Sequence, residues 1–281
     1  MSESQPSLSA RFELPTRAAS GFVMGVAAII AVLGGGILFS MLIAVGAIAA
    51  LWEWHRLVNA GQLAWEMVPT SMAVIAVVWA GPTTNGMKIA LVAILCGAAG
   101  AGMFAALRRS RALWPIPWHA FGAVYIGLPA LAFMILRGSP GGVEIVGGLF
   151  VAVWTADTGA LFCGRLIGGP KLAPDLSPNK TWAGLLGGTL AAGVAEACYV
   201  GLLRGAVVEG FAFGVLLALA GHGGDLFESW VKRQFRAKNT GRLIPGHGGM
   251  LDRIDSLLFA GPTCAILLKM TGFYPFHSVV S

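Results

Sequence analysis

Charge is scarce in this chain. Asp, Glu, Lys and Arg make up 11% of its 281 residues, against about 25% in an ordinary soluble domain. That shortage excludes a water-soluble globule, because too few polar side chains remain to cover a chain that is 56% hydrophobic with a mean hydropathy of +0.76. Cysteine is scarce too. The four present, Cys96, Cys163, Cys198 and Cys264, lie in apolar runs without C-x-x-C spacing, which argues against a disulfide framework or a zinc site and for small buried side chains. Catalytic patterns are missing as well. There is no Ser/His/Asp hydrolase order, no G-x-x-x-x-G-K-[ST] loop and no nucleophilic Cys with a partner His, so covalent and P-loop chemistry lack support.

What the chain has instead is apolar length. Residues 21–51 carry no charge, and at about 1.5 Å per residue they overshoot a hydrocarbon core of about 30 Å by half. Gly34-Gly35-Gly36 offers a break into two helices. Further apolar runs cover 68–80, 87–107, 120–136, 143–166, 182–203, 207–220 and 254–270. The expectation is an all-α, polytopic membrane protein of about nine transmembrane helices, with 68–80 and 207–220 short for a bilayer. Three regions follow: a polar N-terminal tail at 1–20, transmembrane helices at 21–142, and a catalytic region at 143–281 with polar loops at 168–181 and 221–253.

The net charge of +6 does not imply a nucleic acid here, because the basic residues cluster between apolar runs, where they set orientation and meet phosphates. With the N-terminus inside and the first run split, only Lys88, Arg137, Arg204 and Lys269 of the 19 Lys and Arg fall outside. Three polar features then share the cytoplasmic side.

Asp157, in V-W-T-A-D-T-G-A, is an acid within an apolar helix, flanked by Gly159 and Gly164 that permit close helix approach. Its cost marks a functional position; the plainer reading is packing glue bonded to Thr155 or Thr158. Residues 168–181 bring Ser177, Asn179 and Thr181, which are cap-type residues, and Lys180 to the start of the helix at Trp182, an arrangement that binds anions. A Lys there is also an ordinary topology anchor.

The third feature, 221–256, is bounded by the echoes G-H-G-G-D-L and G-H-G-G-M-L-D, read as reuse of a glycine turn. If Asp225 opens a helix, then Asp225, Ser229, Lys232 and Arg236 share one face, and Leu226, Phe227, Trp230 and Val231 lie toward the other. That pattern suits a helix in the membrane interface with its charged face toward water. Gly246 to Gly249 permits close approach to phosphate, and Asp252 and Asp255 need a cation. Asp225 and Asp252 suit Mg²⁺, while Lys232, Arg233, Lys238, Arg242 and Arg253 suit a polyphosphate. Metal-assisted phosphoryl or nucleotidyl transfer is the chemistry left.

The run 229–255, with Lys232-Arg233, Lys238, Gly241, Ile244-Pro245, His247-Gly248-Gly249 and Asp252-Arg253-Ile254-Asp255, resembles the signature of the phosphatidate cytidylyltransferases. D-T-G-A-L-F-C-G-R from Asp157, S-P-N-K-T from Ser177 and G-D-L-F-E-S from Gly224 resemble family segments in the same order. The first half matches in hydropathy and in W-E-W around Glu53 and Y-I-G-L-P from Tyr125. The resemblance implies attack of a phosphatidate oxygen on the α-phosphorus of CTP, giving CDP-diacylglycerol and pyrophosphate, at a bacterial-type inner membrane with the site facing the cytoplasm.

It also implies Mg²⁺, with a second cation left open, held by Asp225, Asp252 and Asp255. Lys232, Arg233 and Asp157 join Asp225 and Asp252 in catalysis. Ser177, Asn179, Lys180, Thr181, Ser229, Lys238, His247, Gly248, Gly249 and Arg253 bind substrate. The partners are CTP, phosphatidate and the bilayer, and a homodimer is compatible with the pattern. One position departs: the family has an acid after Lys238, and this chain has Asn239. The rival readings are a CTP-dependent lipid kinase, a cytidylyltransferase for another lipid phosphate, and an ion-coupled transporter.

Overall fold

Runs rich in Leu, Ala, Ile and Val that must satisfy their own backbone in lipid have the helix as their economical solution. The computed structural model describes residues 8–271 apart from 63, 82, 84, 109–113, 242 and 245–247, and these form nine helices and one small hairpin. The helices are α1 (Leu8–Gly34), α2 (Gly36–Val58), α3 (Met67–Ala80), α4 (Gly86–Arg108), α5 (Pro115–Gly138), α6 (Gly142–Leu166), α7 (Trp182–Leu202), α8 (Val207–Gln234) and α9 (Leu251–Thr271). Between α6 and α7 lie β1 (Lys171–Ala173) and β2 (Ser177–Thr181), paired antiparallel. The protein is therefore a multi-pass membrane protein, all helical but for that hairpin. Six helices, α2 and α4 to α8, are long and apolar enough to cross a membrane, and α3 and residues 19–34 of α1 are shorter apolar helices.

The first apolar run does break in the glycine triplet. Gly35 and Gly36 adopt φ of 57° and 46°, a region open to glycine at little cost. Arg137, at the end of α5, caps α1 by donating from Nε to Val32 O at 2.7 Å. Helix α1 begins at Leu8, inside the stretch read as a polar tail.

Successive helices alternate in direction. At one end Arg108 pairs with Glu66 at 3.3 Å and Trp118 meets Trp230, their ring centres 5.7 Å apart. At the other end Arg137 meets α1, the Tyr199 hydroxyl donates to Glu144 O at 3.2 Å, and Lys269 approaches Met87. The apolar core has two large parts and a small one, formed by Ala156, Ala192 and Ala218 where α6, α7 and α8 meet. One large part joins α1, α2 and α5 to α9 through Phe39, Leu136, Leu149, Val200, Phe213 and Ala260. The other joins α2 to α5 with α8 and α9 through Trp54, Val77, Ile94, Ile126 and Leu258. Large side chains left outside, such as Phe22, Trp79, Leu95 and Leu190, are what lipid solvates.

Two expectations are corrected. Residues 221–234 are not part of a loop, because α8 runs unbroken for 28 residues, about 42 Å at about 1.5 Å per residue, and carries the short run 207–220 to full length. Asp225 therefore lies within a long helix and opens nothing. Nor does the polar face of 225–236 turn to water. Glu228 and Ser229 are buried, Trp230 is exposed, and Arg236 falls beyond the helix end with φ 54°. The polar side chains face inward because α9 and the hairpin supply partners for them.

Candidate active site

Small residues set the first wall of the site. At Gly159 in α6 an added Cβ would lie 2.9 Å from Ala191 Cβ and 3.2 Å from Gly188 Cα in α7, so the two backbones nearly touch. The hairpin joins these helices and delivers its last residue as the cap of α7: Gly184 N donates to Thr181 Oγ1 at 3.0 Å, which satisfies one of the free N–H groups at that terminus. The preceding residue crosses to α8, where Lys180 Nζ pairs with Asp225 Oδ2 at 2.6 Å. At the far end of α8, Arg233 donates to Leu176 O at 3.3 Å. Thr158 spends its hydroxyl on Trp154 O of its own helix, and Asp157 lines the cavity described below.

The first glycine echo serves packing, which corrects its reading as a turn. A Cβ on Gly224 would lie 2.5 Å from Asp255 O and 3.2 Å from Phe259 Cβ, so α8 meets α9 only because this residue is glycine. That closeness brings the carboxylates of Asp225, Glu228 and Asp255 together, with one oxygen from each within 4.8 Å of the others. Lys232 spans the edge of this group. Its ammonium pairs with Glu228 Oε2 and, at 2.9 Å, with Asp252 Oδ1, while buried Glu228 Oε1 has no hydrogen-bond partner among the described residues.

Asp252 organises the chain that enters α9. Its Oδ2 accepts from Thr240 N at 3.1 Å, Thr240 Oγ1 at 3.0 Å and Gly249 N at 3.0 Å. In the second echo, Gly248 has φ 88° and is bridged to Ile244. Glu53 of α2, fully buried, reaches under this segment and accepts from Leu251 N at 2.9 Å and Thr240 Oγ1 at 3.3 Å. A carboxylate from a distant helix thus holds the first N–H of α9, where helix termini need an acceptor.

These parts enclose a cavity of about 1170 Å³. Of the residues singled out from sequence, it gathers Asp157, Asn179, Lys180 and Thr181 from one side and Asp225, Lys232, Gly248, Asp252, Arg253 and Asp255 from the other. Ser177, Arg233, Ser229 and Gly249 stand outside its lining, and Lys238 lines a neighbouring chamber. His247 lies outside the described residues. Asp252 sits apart from the three-carboxylate group, on the far side of the Lys232 ammonium.

Sequence reasoning missed Glu228, Glu53, Thr240 and His222, which is buried and lines the cavity. For Glu228 a signal existed: it lies three residues after Asp225 and four before Lys232, on the same helix face.

Residues 15–271 match the family described as the cytidylyltransferase family. The chain is 39% identical over 270 residues to a protein named phosphatidate cytidylyltransferase from Brucella suis, which covers 92% of this chain and 93% of that one. The protein of that name from Brucella melitensis gives the same figures. One from Rickettsia bellii is 36% identical over 168 residues, covering 57% of this chain and 71% of its own.

Proposed function

This chain belongs to the cytidylyltransferase family, and from that premise we propose that it transfers the cytidylyl group of CTP to phosphatidate, giving CDP-diacylglycerol and pyrophosphate. The observation that carries the reading is the meeting, in one cavity, of Asp225 and Asp255, two of the three clustered carboxylates, with Lys180, Lys232 and Arg253. A phosphatidate oxygen attacks the α-phosphorus of CTP while the bond to the β-phosphate oxygen breaks. The attacking group is already an anion and pyrophosphate leaves as one, so no strong general base is needed. Positioning and charge neutralisation suffice.

The carboxylates of Asp225, Glu228 and Asp255 fit a hard divalent cation, and the unpartnered Glu228 Oε1 is the oxygen that most wants one. Bound Mg²⁺ would supply Lewis-acid stabilisation of the charge gathering on the transferred group. Lys232 bridges Glu228 and Asp252, so its ammonium turning toward a substrate phosphate would release Asp252 Oδ1 to the same cluster. Lys180 and Arg253 receive phosphate oxygens, and the capped start of α7 adds backbone N–H groups. A pyrophosphate-release assay with phosphatidate and CTP omitted in turn tests the reading; release of CDP in place of pyrophosphate would make the protein a lipid kinase.

We place the site on the cytoplasmic face, with nine spans, on the distribution of Lys and Arg. A reporter inserted within 168–177 should read cytoplasmic, and a periplasmic signal would reverse the arrangement.

Asn239 stands where the chain leaves α8 for the turn, in the lining of the cavity. It leaves one more positive charge uncompensated beside an anionic substrate than an acid would. Asn239→Asp should raise the KM for CTP severalfold with kcat little changed, an effect worth up to about 1 kcal/mol that fades with salt. A hundredfold fall in kcat at constant KM, in steady-state kinetics at two ionic strengths, would place Asn239 in the chemical step.

A further inference from the structure

A second chamber of about 890 Å³ adjoins the acidic cavity at Asn239, which lines both. Its chemistry differs. Arg56 and Lys238 are its ionised side chains among the described residues, and much of the remaining wall is apolar, from Trp52, Leu57, Phe235 and Leu243. A chamber of this sign and lining suits a flat, neutral ring attached to an anion, and repels a metal ion. Its position fits that ligand, since the anionic end would pass Asn239 toward Lys232 and the carboxylate cluster.

Arg56 is prepared to read such a ring. Its Nε donates to Gly61 O at 3.1 Å, and its guanidinium lies 4.5 Å from the centre of the Trp52 ring. Both contacts fix the plane of the fork before any ligand arrives. The terminal N–H groups have no hydrogen-bond partner among the described residues.

We propose that this chamber binds the nucleoside of CTP, with Arg56 as the residue that selects cytosine; the inference rests on the reaction proposed above. Cytosine presents two adjacent acceptors, N3 and O2, which match two parallel N–H donors from one guanidinium. Uracil keeps O2 but carries a hydrogen on N3, so one donor would meet another donor. A bidentate contact of this kind is worth about 1–3 kcal/mol of discrimination, roughly fivefold to more than a hundredfold. Trp52 holds the fork in place and is a positioning residue. Arg56→Lys keeps the charge and loses the fork, which separates base reading from simple attraction.

The measurement is the ratio of kcat/KM for CTP over UTP, taken on the full chain in detergent with phosphatidate and Mg²⁺. As a ratio it does not depend on how much of a variant is folded. Arg56→Ala and Arg56→Lys should both lower it at least about fivefold, mainly through the KM for CTP, with the KM for phosphatidate unchanged. Trp52→Phe should lower it less. An unchanged ratio in both Arg56 variants overturns the proposal, as does a rise confined to the KM for phosphatidate, which would give the chamber to the lipid headgroup. Calorimetric titration of the wild-type protein with CTP and with UTP reads the same preference without turnover. If phosphatidate and CTP gave no pyrophosphate, the reaction would be wrong, while tighter CTP binding that Arg56→Lys abolishes would still uphold the chamber.

Discussion

Asp225→Asn should abolish turnover, with a loss of at least about a thousandfold, or roughly 4 kcal/mol in the activation barrier. Asp225 contributes one of three carboxylates gathered where α8 and α9 touch, and an amide in its place removes a full charge from the oxygen that would meet a cation. Stability should hardly change. The residue lines the cavity with its side chain 32% exposed, and its pair with Lys180, itself 23% exposed, is of the partly solvated kind that contributes little. Asp252→Asn should be as damaging to turnover but for an added reason. Its two oxygens take four donors, so the amide leaves Lys232 or the Thr240 and Gly249 donors ill matched, and about 1–3 kcal/mol of stability should go as well. Thermal unfolding in detergent beside pyrophosphate release separates the two. Activity of Asp225→Asn within about tenfold of wild type at ordinary Mg²⁺ would remove Asp225 from the ligand set.

Glu53→Ala should be the most damaging change outside the cavity. It strips Leu251 N of its acceptor and weakens the hold on Thr240 in a fully buried place, at about 1–3 kcal/mol for each group left unmet. The segment it holds carries Asp252 through Gly249 and Thr240, so kcat should fall at least about a hundredfold even in the protein that stays folded. Glu53→Gln retains a carbonyl oxygen for Leu251 N and should keep activity within about tenfold. Glu53→Ala with normal kcat and an unchanged thermal midpoint would mean that the turn before α9 holds itself.

Much of this architecture is legible in the sequence. The break at Gly34 to Gly36 follows from excess apolar length plus glycine, and Asp157, Lys180, Asp225 and Asp252 stand out as polar residues in an apolar chain. Other parts are hidden for physical reasons. Glycine at 221, 223 and 224 reads as a turn, because local sequence does not reveal that a second helix lies against it; inside α8 the missing Cβ at Gly224 serves contact with Asp255 instead. Glu228 is hidden behind Ser229, because spacings of three and four from Asp225 fall on the same helix face and the pattern does not choose between them. Glu53 could be quoted from W-E-W but not placed, since its partners come from a turn and a helix at the other end of the chain.

That last separation governs how the enzyme is made. Glu53 and Leu251 are 198 residues apart, so at roughly 5–20 residues per second the ribosome needs about 10–40 s to supply the partner of a carboxylate already in the nascent bundle. Until then α2 must be sheltered by the insertion machinery or by water at the membrane edge. Helix α9 carries both the acceptor's partner, Leu251, and two of the acids, Asp252 and Asp255, so on the proposed site a chain cut before it should be inactive. On the proposed site, catalytic competence should therefore arrive with α9, and a nascent chain should not consume CTP before that helix is in place.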